Sequence, residues 1–150
     1  MRPADRMVAE QLRGHGITDE RVLVAMAEVP RDEFVPASMA LEAYDPRALP
    51  IGAGQTISQP LVVAAMTQAL APGPEDSILE VGTGSGYQAA ILGRLCRRVV
   101  TVELEAALAE RAAAALKRLG IANVEVVVAD GRQGAPGRAP VSYTHLRAHE

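Results

Sequence analysis

The chain has 150 residues, 49% of them hydrophobic, and a formal net charge of −3. This length and composition predict one domain with a substantial core, and the slightly acidic balance excludes the basic surface typical of nucleic-acid-binding proteins. Cys96 is the only cysteine, which excludes an intramolecular disulfide and favours a reducing compartment. Because no signal-peptide pattern or apolar run of membrane length occurs, we expect a cytoplasmic protein with no membrane or nucleic-acid partner.

The first 48 residues have the pattern of a small helical cap. Apolar residues recur at helical spacing from Pro3 to Arg13. A second helix is expected to begin with Thr18 or Asp19 as its N-cap and to end at Val29, because proline follows. No linker-like composition separates this part from the rest, so we expect residues 1–48 to pack on a later core.

Residues 49–60 contain glycines and prolines, lack a helical period and have a polar centre. We interpret them as a loop that leads into a helix. Pro60 suits the first position of that helix, and Ser58 or Gln59 is expected to cap it. The apolar residues that this helix would carry include Leu61, Val62, Ala65, Met66, Ala69 and Leu70.

The stretch from Ser77 to Leu92 combines a buried strand at Ile78–Val81, a glycine-rich turn and a helix that starts at Tyr87. The glycines at 82, 84 and 86 permit positive φ angles and let a ligand approach the backbone. A strand, a glycine turn and a helix N-terminus in this order are typical of a nucleotide-type site. The alternative is a tight turn that binds nothing.

The spacing of the glycines narrows the class of ligand. A dinucleotide-binding turn would need its third glycine at position 87, where this chain has Tyr87. A phosphate-binding loop would end in Gly-Lys-Ser/Thr, and the turn has no lysine. What is left is an acid, Glu80, followed by three alternating glycines.

Two more strands are predicted after this turn. Val99–Val102 is closed by Glu103, which lies roughly twenty residues beyond the first glycine, where an acid can accept hydrogen bonds from both ribose hydroxyls. A helix that ends at Gly120 follows, and Val124–Val128 is the third strand. The apolar face of that helix is expected to comprise Leu104, Leu108, Ala112, Ala115, Leu116 and Leu119.

The acid and glycines at 80–86 resemble motif I of the class I S-adenosylmethionine methyltransferases. Three further motifs make the resemblance narrower: V-P-R-x-x-F-V from Val29 to Val35, A-Y-D from Ala43 to Asp45, and L-P-I-G-x-G-Q-T-I-S-Q-P from Leu49 to Pro60. With these motifs the chain, from about Met7 to Pro140, resembles the protein-L-isoaspartate O-methyltransferases.

The resemblance implies an α/β fold of the Rossmann-like class I methyltransferase type, with three αβα layers, a mainly parallel sheet and an N-terminal helical cap. It divides residues 1–140 into the cap (about 1–48), a substrate loop (49–60) and a cofactor-binding α/β unit (61–140). Only the first half of the sheet would be present. The family also implies that the intact parent protein is a monomer.

The activity that the resemblance implies is methyl transfer from S-adenosylmethionine to the carboxylate of L-isoaspartyl residues in damaged proteins and peptides, the first step of their repair. Such a carboxylate has a pKa near ~4 and needs no general base at neutral pH. Ser58 is expected to orient it, with Gln55, Thr56 and Ile57 shaping the loop. The residues expected to bind the cofactor are Glu80, Gly82, Thr83, Gly84, Gly86, Glu103, Asp130 and Gly131, of which Asp130 would contact the adenine amine and Gly131 would leave room for the ring.

Each role has a plainer alternative. Ser58 could be only a helix N-cap, Glu103 a strand-end surface acid, and Asp130 part of an Asx turn with Gly131. At the level of function, the alternatives are a class I methyltransferase with another acceptor, either a small molecule or a protein, and a non-catalytic cofactor-binding fragment.

After Pro140 the family pattern would continue into a fourth strand, but residues 141–150 resemble readthrough of a sequencing adapter. We therefore interpret 141–150 as a non-native tail and the chain as a C-terminally truncated, inactive part of an active enzyme. The strand at Ile78–Val81 would have an unpaired edge unless the tail pairs there. His145 and His149 are four residues apart, but no third ligand accompanies them, so no metal site is expected.

Overall fold

The computed structural model describes residues 1–131 and the backbone of residues 145–147. Helix α1 (Pro3–Met7) continues into a π-helical turn at Val8–Leu12, and α2 spans Glu20–Glu28. Two 3₁₀ helices follow at Arg31–Phe34 and Ala37–Glu42. The predicted helical cap is present, and α2 begins and ends where the sequence indicated because Asp19 accepts a hydrogen bond from the amide of Arg21 and proline follows Val29.

Residues 49–57 form a β-hairpin, which sequence analysis had interpreted as loop. Strands β1 (Leu49–Gly52) and β2 (Gln55–Ile57) pair antiparallel, and the turn between them has positive φ at 53 and 54. Burial alternates along β1, where Leu49 and Ile51 are buried, and such alternation is the usual signal of a strand. With only four residues, β1 is too short for this alternation to be recognised in the sequence.

Helix α3 (Pro60–Leu70) begins at the predicted proline, and Gln59, one of the two predicted caps, is its N-cap residue. No side chain makes a cap hydrogen bond there. The buried residues are Pro60, Val63, Ala64 and Thr67, whereas Ala65 and Ala69 are exposed. The helix is apolar on nearly every side, so its period does not define one face, and Thr67 is satisfied internally by donating to the carbonyl of Val63 at 2.8 Å.

The central sheet is parallel, with the strand order β5-β4-β3-β6. Its strands are β3 (Ser77–Val81), β4 (Arg98–Glu103), β5 (Val124–Val128) and β6 (His145–Arg147). The first three confirm the predicted strands, and β4 and β5 lie on the same side of β3. The predicted unpaired edge of β3 is paired by β6, which places Leu79 opposite His145.

Helices α4 (Tyr87–Gly93) and α5 (Ala106–Arg118) connect β3 to β4 and β4 to β5. The C-terminus of α5 has the predicted glycine: Gly120 has a φ of 68°, and the amides of Gly120 and Ile121 donate to Lys117 and Leu116. Leu104, predicted on the buried face of this helix, instead precedes its N-cap residue Glu105 and is 70% exposed.

The core lies on two faces of the sheet. On one face, Ile78 and Val99 pack with residues of α3 and α4, and a larger cluster joins α4 and α5 to the cap and the hairpin. On the other face, Leu79, Val100 and Val102 form a separate cluster. In residues 1–131 we find no helix covering that second face, so the third layer of the predicted sandwich falls outside the described residues.

Candidate functional site

The glycine turn after β3 has the conformation that its sequence predicted. Gly82, Gly84 and Gly86 have φ angles of 90°, 54° and 92°, a region that residues with a Cβ rarely adopt. The amide of Gly82 donates to the carbonyl of Val102 at 2.7 Å, which joins the turn to β4. A Cβ on Gly86 would lie 3.0 Å from the Cβ of Ala112, so the turn also approaches α5 closely.

Glu103 lies at the end of β4 with only 4% of its surface exposed, so it is not an ordinary surface acid. Its Oε1 accepts a hydrogen bond from the amide of Gly84 at 2.9 Å, and its Oε2 accepts one from the amide of Glu105 at 2.9 Å. The carboxylate therefore joins the glycine turn to the loop before α5, at the carboxyl edge of the parallel strands.

A chain of buried polar side chains lies beneath the turn. Thr101 donates to Oε1 of Glu80 at 2.5 Å, and the hydroxyls of Thr101 and Thr83 are 2.7 Å apart. Since the one proton of Thr101 goes to Glu80, Thr83 donates to Thr101. Burial raises the pKa of Glu80 to about 8; the nearby Glu103 carboxylate also raises it, and the hydrogen bond from Thr101 opposes both effects.

Thr101 was not among the predicted site residues. A signal for it existed: it is a hydroxyl residue inside an apolar β-branched run, and the parallel register places it directly opposite Glu80. A buried carboxyl group needs a hydrogen-bond partner, and a polar residue in the adjacent strand is the nearest source of one.

Asp130 and Gly131 follow β5 at the same edge of the sheet, and both are half-buried. The amide of Ala129 donates to the carbonyl of Glu103 at 3.0 Å, which brings this segment next to β4. A Cβ on Gly131 would lie 2.2 Å from Cγ1 of Val81, so a larger residue would overlap that side chain unless one of the two moved. The space beside Gly131 is filled by a valine in this structure.

The hairpin of residues 49–57 lies close to the glycine turn. Cδ1 of Ile51 is 3.9 Å from the place that a Cβ on Gly84 would occupy. Gln55 and Thr56 are half-buried in β2, and Ile57 is 3% exposed and belongs to the core. The segment predicted as a substrate loop is thus a short strand pair with one core residue at its end.

Ser58 follows the hairpin and is half-buried. It is not a side-chain cap of α3, because Gln59 holds the N-cap position and makes no cap hydrogen bond. Among the described residues no hydrogen bond from the Ser58 hydroxyl is found, whereas its backbone carbonyl accepts one from Nη2 of Arg31 at 2.8 Å. The hydroxyl is therefore available to another partner.

Two further features at the site were not predicted from the sequence. Leu104 and Val128, at the carboxyl ends of β4 and β5, are 70% and 55% exposed, and an exposed leucine directly after the buried Glu103 gives that edge an apolar surface. Arg31 is the second feature, since its guanidinium is fully buried beside Ser58 and Tyr87.

A groove of about 230 Å³ lies behind the glycine turn. Its walls include Phe34, Ile51 and Ser85 on one side and Leu108, Arg111 and Arg118 of α5 on the other. Arg118 pairs with Glu33 at 3.4 Å across the rim.

Residues 1–131 contain no group of three His, Cys, Asp or Glu side chains that could hold a metal ion. The side chain of His145 and all of His149 lie outside the described residues. In the same part of the chain, no helix has the length and apolar character needed to cross a membrane.

Comparison with known proteins agrees with the motifs. The family model for protein-L-isoaspartate(D-aspartate) O-methyltransferase matches residues 4–149. The match extends into the segment that we predicted to be a non-native tail, and the origin of residues 141–150 stays a prediction. Curated relatives include the protein-L-isoaspartate O-methyltransferases of Methanoculleus marisnigri, 52% identical over 139 residues, and of Methanoregula boonei, 56% identical over 135 residues.

These alignments cover 93% and 90% of this chain but only 63% and 62% of the relatives, so the chain spans about three fifths of their length. Among solved structures, a protein-L-isoaspartate O-methyltransferase superposes with a TM-score of 0.82 at 30% identity, covering 95% of this chain and 47% of its own.

A Plasmodium falciparum protein assigned to the same enzymes, crystallised with S-adenosyl-L-homocysteine, gives a TM-score of 0.76 over 91% of this chain and 67% of its own. It is 22% identical and supports the fold, which is that of the class I methyltransferases. From the family match, the relatives and the fold together, the chain belongs to the protein-L-isoaspartate O-methyltransferase family.

Proposed function

We propose that the protein to which this chain belongs transfers a methyl group from S-adenosylmethionine to the carboxylate of L-isoaspartyl residues in damaged proteins and peptides. The observation that carries the proposal is the close approach of two features: a glycine turn joined to a buried acid, and a hairpin followed by Ser58, whose hydroxyl has no hydrogen bond among the described residues. The family membership supports the choice of acceptor.

The residues at the sheet edge fit an adenosine-containing cofactor. Glu103 is fixed by two backbone amides, and each of its oxygens has a further lone pair for a ribose hydroxyl. Leu104 and Val128 present apolar surface for a flat ring at the same edge, and Asp130 follows in the next loop. We propose Gly82, Thr83, Gly84 and Gly86 as the backbone that approaches the amino-acid part of the cofactor, with Glu80 supporting the turn from below.

When bound, the cofactor supplies a methyl group on a positively charged sulfur. The acceptor carboxylate is already ionised at neutral pH and needs no proton removed, so the residues of this chain are required for alignment. Fixing two reactants in line can contribute about 7 to 11 kcal/mol to lowering a barrier. We propose that Ser58 donates its hydroxyl proton as a hydrogen bond to the acceptor carboxylate and that Gln55, Thr56 and Ile57 hold Ser58 in place.

The competing function is methyl transfer to another acceptor from the same cofactor site. The hairpin favours the isoaspartyl acceptor, because a general methyltransferase site does not require the G-Q-T-I-S-Q-P segment that precedes the parallel sheet in this chain. Beyond the acceptor, we propose that the protein acts as a cytoplasmic monomer and recognises polypeptides; its net charge of −3 gives no basis for a nucleic-acid partner.

The test incubates the protein to which this chain belongs, and in parallel the 150-residue chain itself, with radiolabelled S-adenosylmethionine and two peptides that differ only in one isoaspartyl or aspartyl linkage. We expect methyl incorporation into the isoaspartyl peptide alone, and Ser58→Ala should lower it while leaving S-adenosylhomocysteine binding unchanged. Thr18→Ala, which lies outside the site, is the control and should leave methyl incorporation unchanged. Equal labelling of both peptides would favour the competing function, and binding without labelling of either would favour a cofactor-binding fragment.

A further inference from the structure

Arg31, which follows the predicted end of the second cap helix, is fully buried. Its Nε donates to the carbonyl of Ala43 at 2.5 Å, and its Nη2 donates to the carbonyl of Ser58 at 2.8 Å. These two acceptors lie 12 and 27 residues away in the chain. One guanidinium therefore joins the end of the cap to the residue proposed to orient the acceptor.

The same side chain also contacts the residue that follows the glycine turn. The guanidinium carbon of Arg31 lies 5.0 Å from the ring centroid of Tyr87, at cation–π distance. Tyr87 directly follows Gly86 and is the first residue of α4. Its ring is held by Phe34, with centroids 5.8 Å apart. Arg31 thus lies between Ser58 and the helix that leaves the glycine turn.

The charge at this position is costly. Among the described residues Arg31 has no ion pair with a carboxylate, and its Nη1 has no hydrogen-bond partner. Burial lowers the pKa of the guanidinium, which shows that desolvation is the dominant effect on it. An apolar side chain of similar length would fill this volume without the desolvation penalty, so packing alone does not account for an arginine.

What an arginine provides here is a planar fork of donors that fixes two carbonyls at set angles. We propose that Arg31 is a positioning residue for the acceptor: it fixes Ser58 relative to the glycine turn, and so sets the alignment of carboxylate and methyl donor without contributing to cofactor binding. The expected effect on methyl transfer rests on the proposed function. The positioning of Ser58 by Arg31 does not depend on it.

The structural part is tested by amide hydrogen exchange on the chain, comparing Arg31→Met, Arg31→Lys and Leu23→Ala. Leu23 is 1% exposed in the same core but is not bonded to residues 55–58, so it reports general loss of stability. We expect Arg31→Met to speed exchange at residues 55–59 well beyond its effect on β3 and β4, and Arg31→Lys to restore part of the protection. Uniform acceleration, as in Leu23→Ala, would overturn the proposal.

The kinetic part is tested with the isoaspartyl peptide. Misplacement of a reacting group by about 1 Å can cost a factor of about 100 in rate, so we expect Arg31→Met to lower kcat/KM on that scale while the dissociation constant of S-adenosylhomocysteine is unchanged. Parallel loss of cofactor binding would overturn the positioning role. If the unaltered protein labels neither peptide, the proposed function fails, and the exchange pattern still decides whether Arg31 positions Ser58.

Discussion

Oε1 of Glu103 and the amide of Gly84 are joined by a hydrogen bond of 2.9 Å, so the acid at the end of β4 helps to hold the glycine turn in place. An acid that the sequence predicts as a cofactor ligand therefore also supports the turn in the protein alone. We expect substitutions at this position to affect both stability and cofactor binding, so the two effects must be measured separately.

For Glu103→Ala we expect weaker S-adenosylhomocysteine binding and a less stable fold, because two backbone amides lose their acceptor. The binding free energy and the free energy of unfolding should each fall by about 1.5 to 3 kcal/mol, the range for hydrogen bonds to charged groups. Titration calorimetry and urea unfolding measure the two quantities. Glu105→Ala is the matched control, since that side chain is exposed and its amide is retained. An unchanged dissociation constant would remove Glu103 from the cofactor site.

The pH dependence of stability should reflect Glu80, whose folded-state pKa of about 8 exceeds its ordinary value of 4.5. Below the ordinary value the group is protonated in both states and costs nothing. As pH rises to about 8, the unfolded chain releases this proton first, so the free energy of unfolding falls, by at most about 1.4 kcal/mol per pH unit from this group. Above about pH 8 the free energy of unfolding no longer changes because of this group.

Glu80→Gln should remove this decline while keeping an acceptor for Thr101. Urea unfolding at a series of pH values between 4 and 9 measures it against the unaltered chain. A Glu80→Gln variant with the same slope would show that another group causes the pH dependence.

Gly131→Ala should destabilise the protein by steric overlap, because its Cβ would lie 2.2 Å from Cγ1 of Val81. Overpacking of this kind costs about 1 to 3 kcal/mol. Val81→Ala removes the opposing atoms, so the double variant should recover part of the loss relative to the sum of the single variants. Additive effects in this double-mutant cycle would mean that the two residues do not meet.

Asp19→Ala should destabilise α2 by about 1 kcal/mol, because its carboxylate accepts from the amide of Arg21 at the N-terminus of the helix. Gln59→Ala is the comparison at the start of α3, where the N-cap side chain makes no such bond. We expect a change in the urea midpoint for the first variant and almost none for the second. Equal changes would contradict the assignment of caps.

Strands β3, β4 and β5 could be predicted from sequence because each is a short apolar run between clear breaks. The bounds of α2 and the end of α5 could be predicted from residues that start or stop a helix, namely Asp19, Pro30 and Gly120. The glycine turn and Glu103 could be predicted from their spacing, which is typical of nucleotide-type sites. The roles of Ser58, Asp130 and the other site residues are still predictions.

The parts that escaped prediction depend on contacts distant in sequence. The β1–β2 hairpin has strands too short for a visible alternation, and the buried face of α3 is set by neighbours because the helix is apolar nearly all round. Thr101 matters only because β4 places it opposite Glu80. Arg31 looks like any surface arginine until Ala43, Ser58 and Tyr87 are brought around it.

The core cluster that joins the cap to α4 and α5 has a practical consequence for dividing the molecule. Met7, Leu12, Leu23 and Met26 share one packed interior with Tyr87, Ile91 and Leu116. A chain that began after residue 48 would leave that interior open to water on one whole side and would lose the guanidinium that holds Ser58. We therefore expect that the polypeptide cannot be cut at the predicted boundary near residue 48 without loss of the fold.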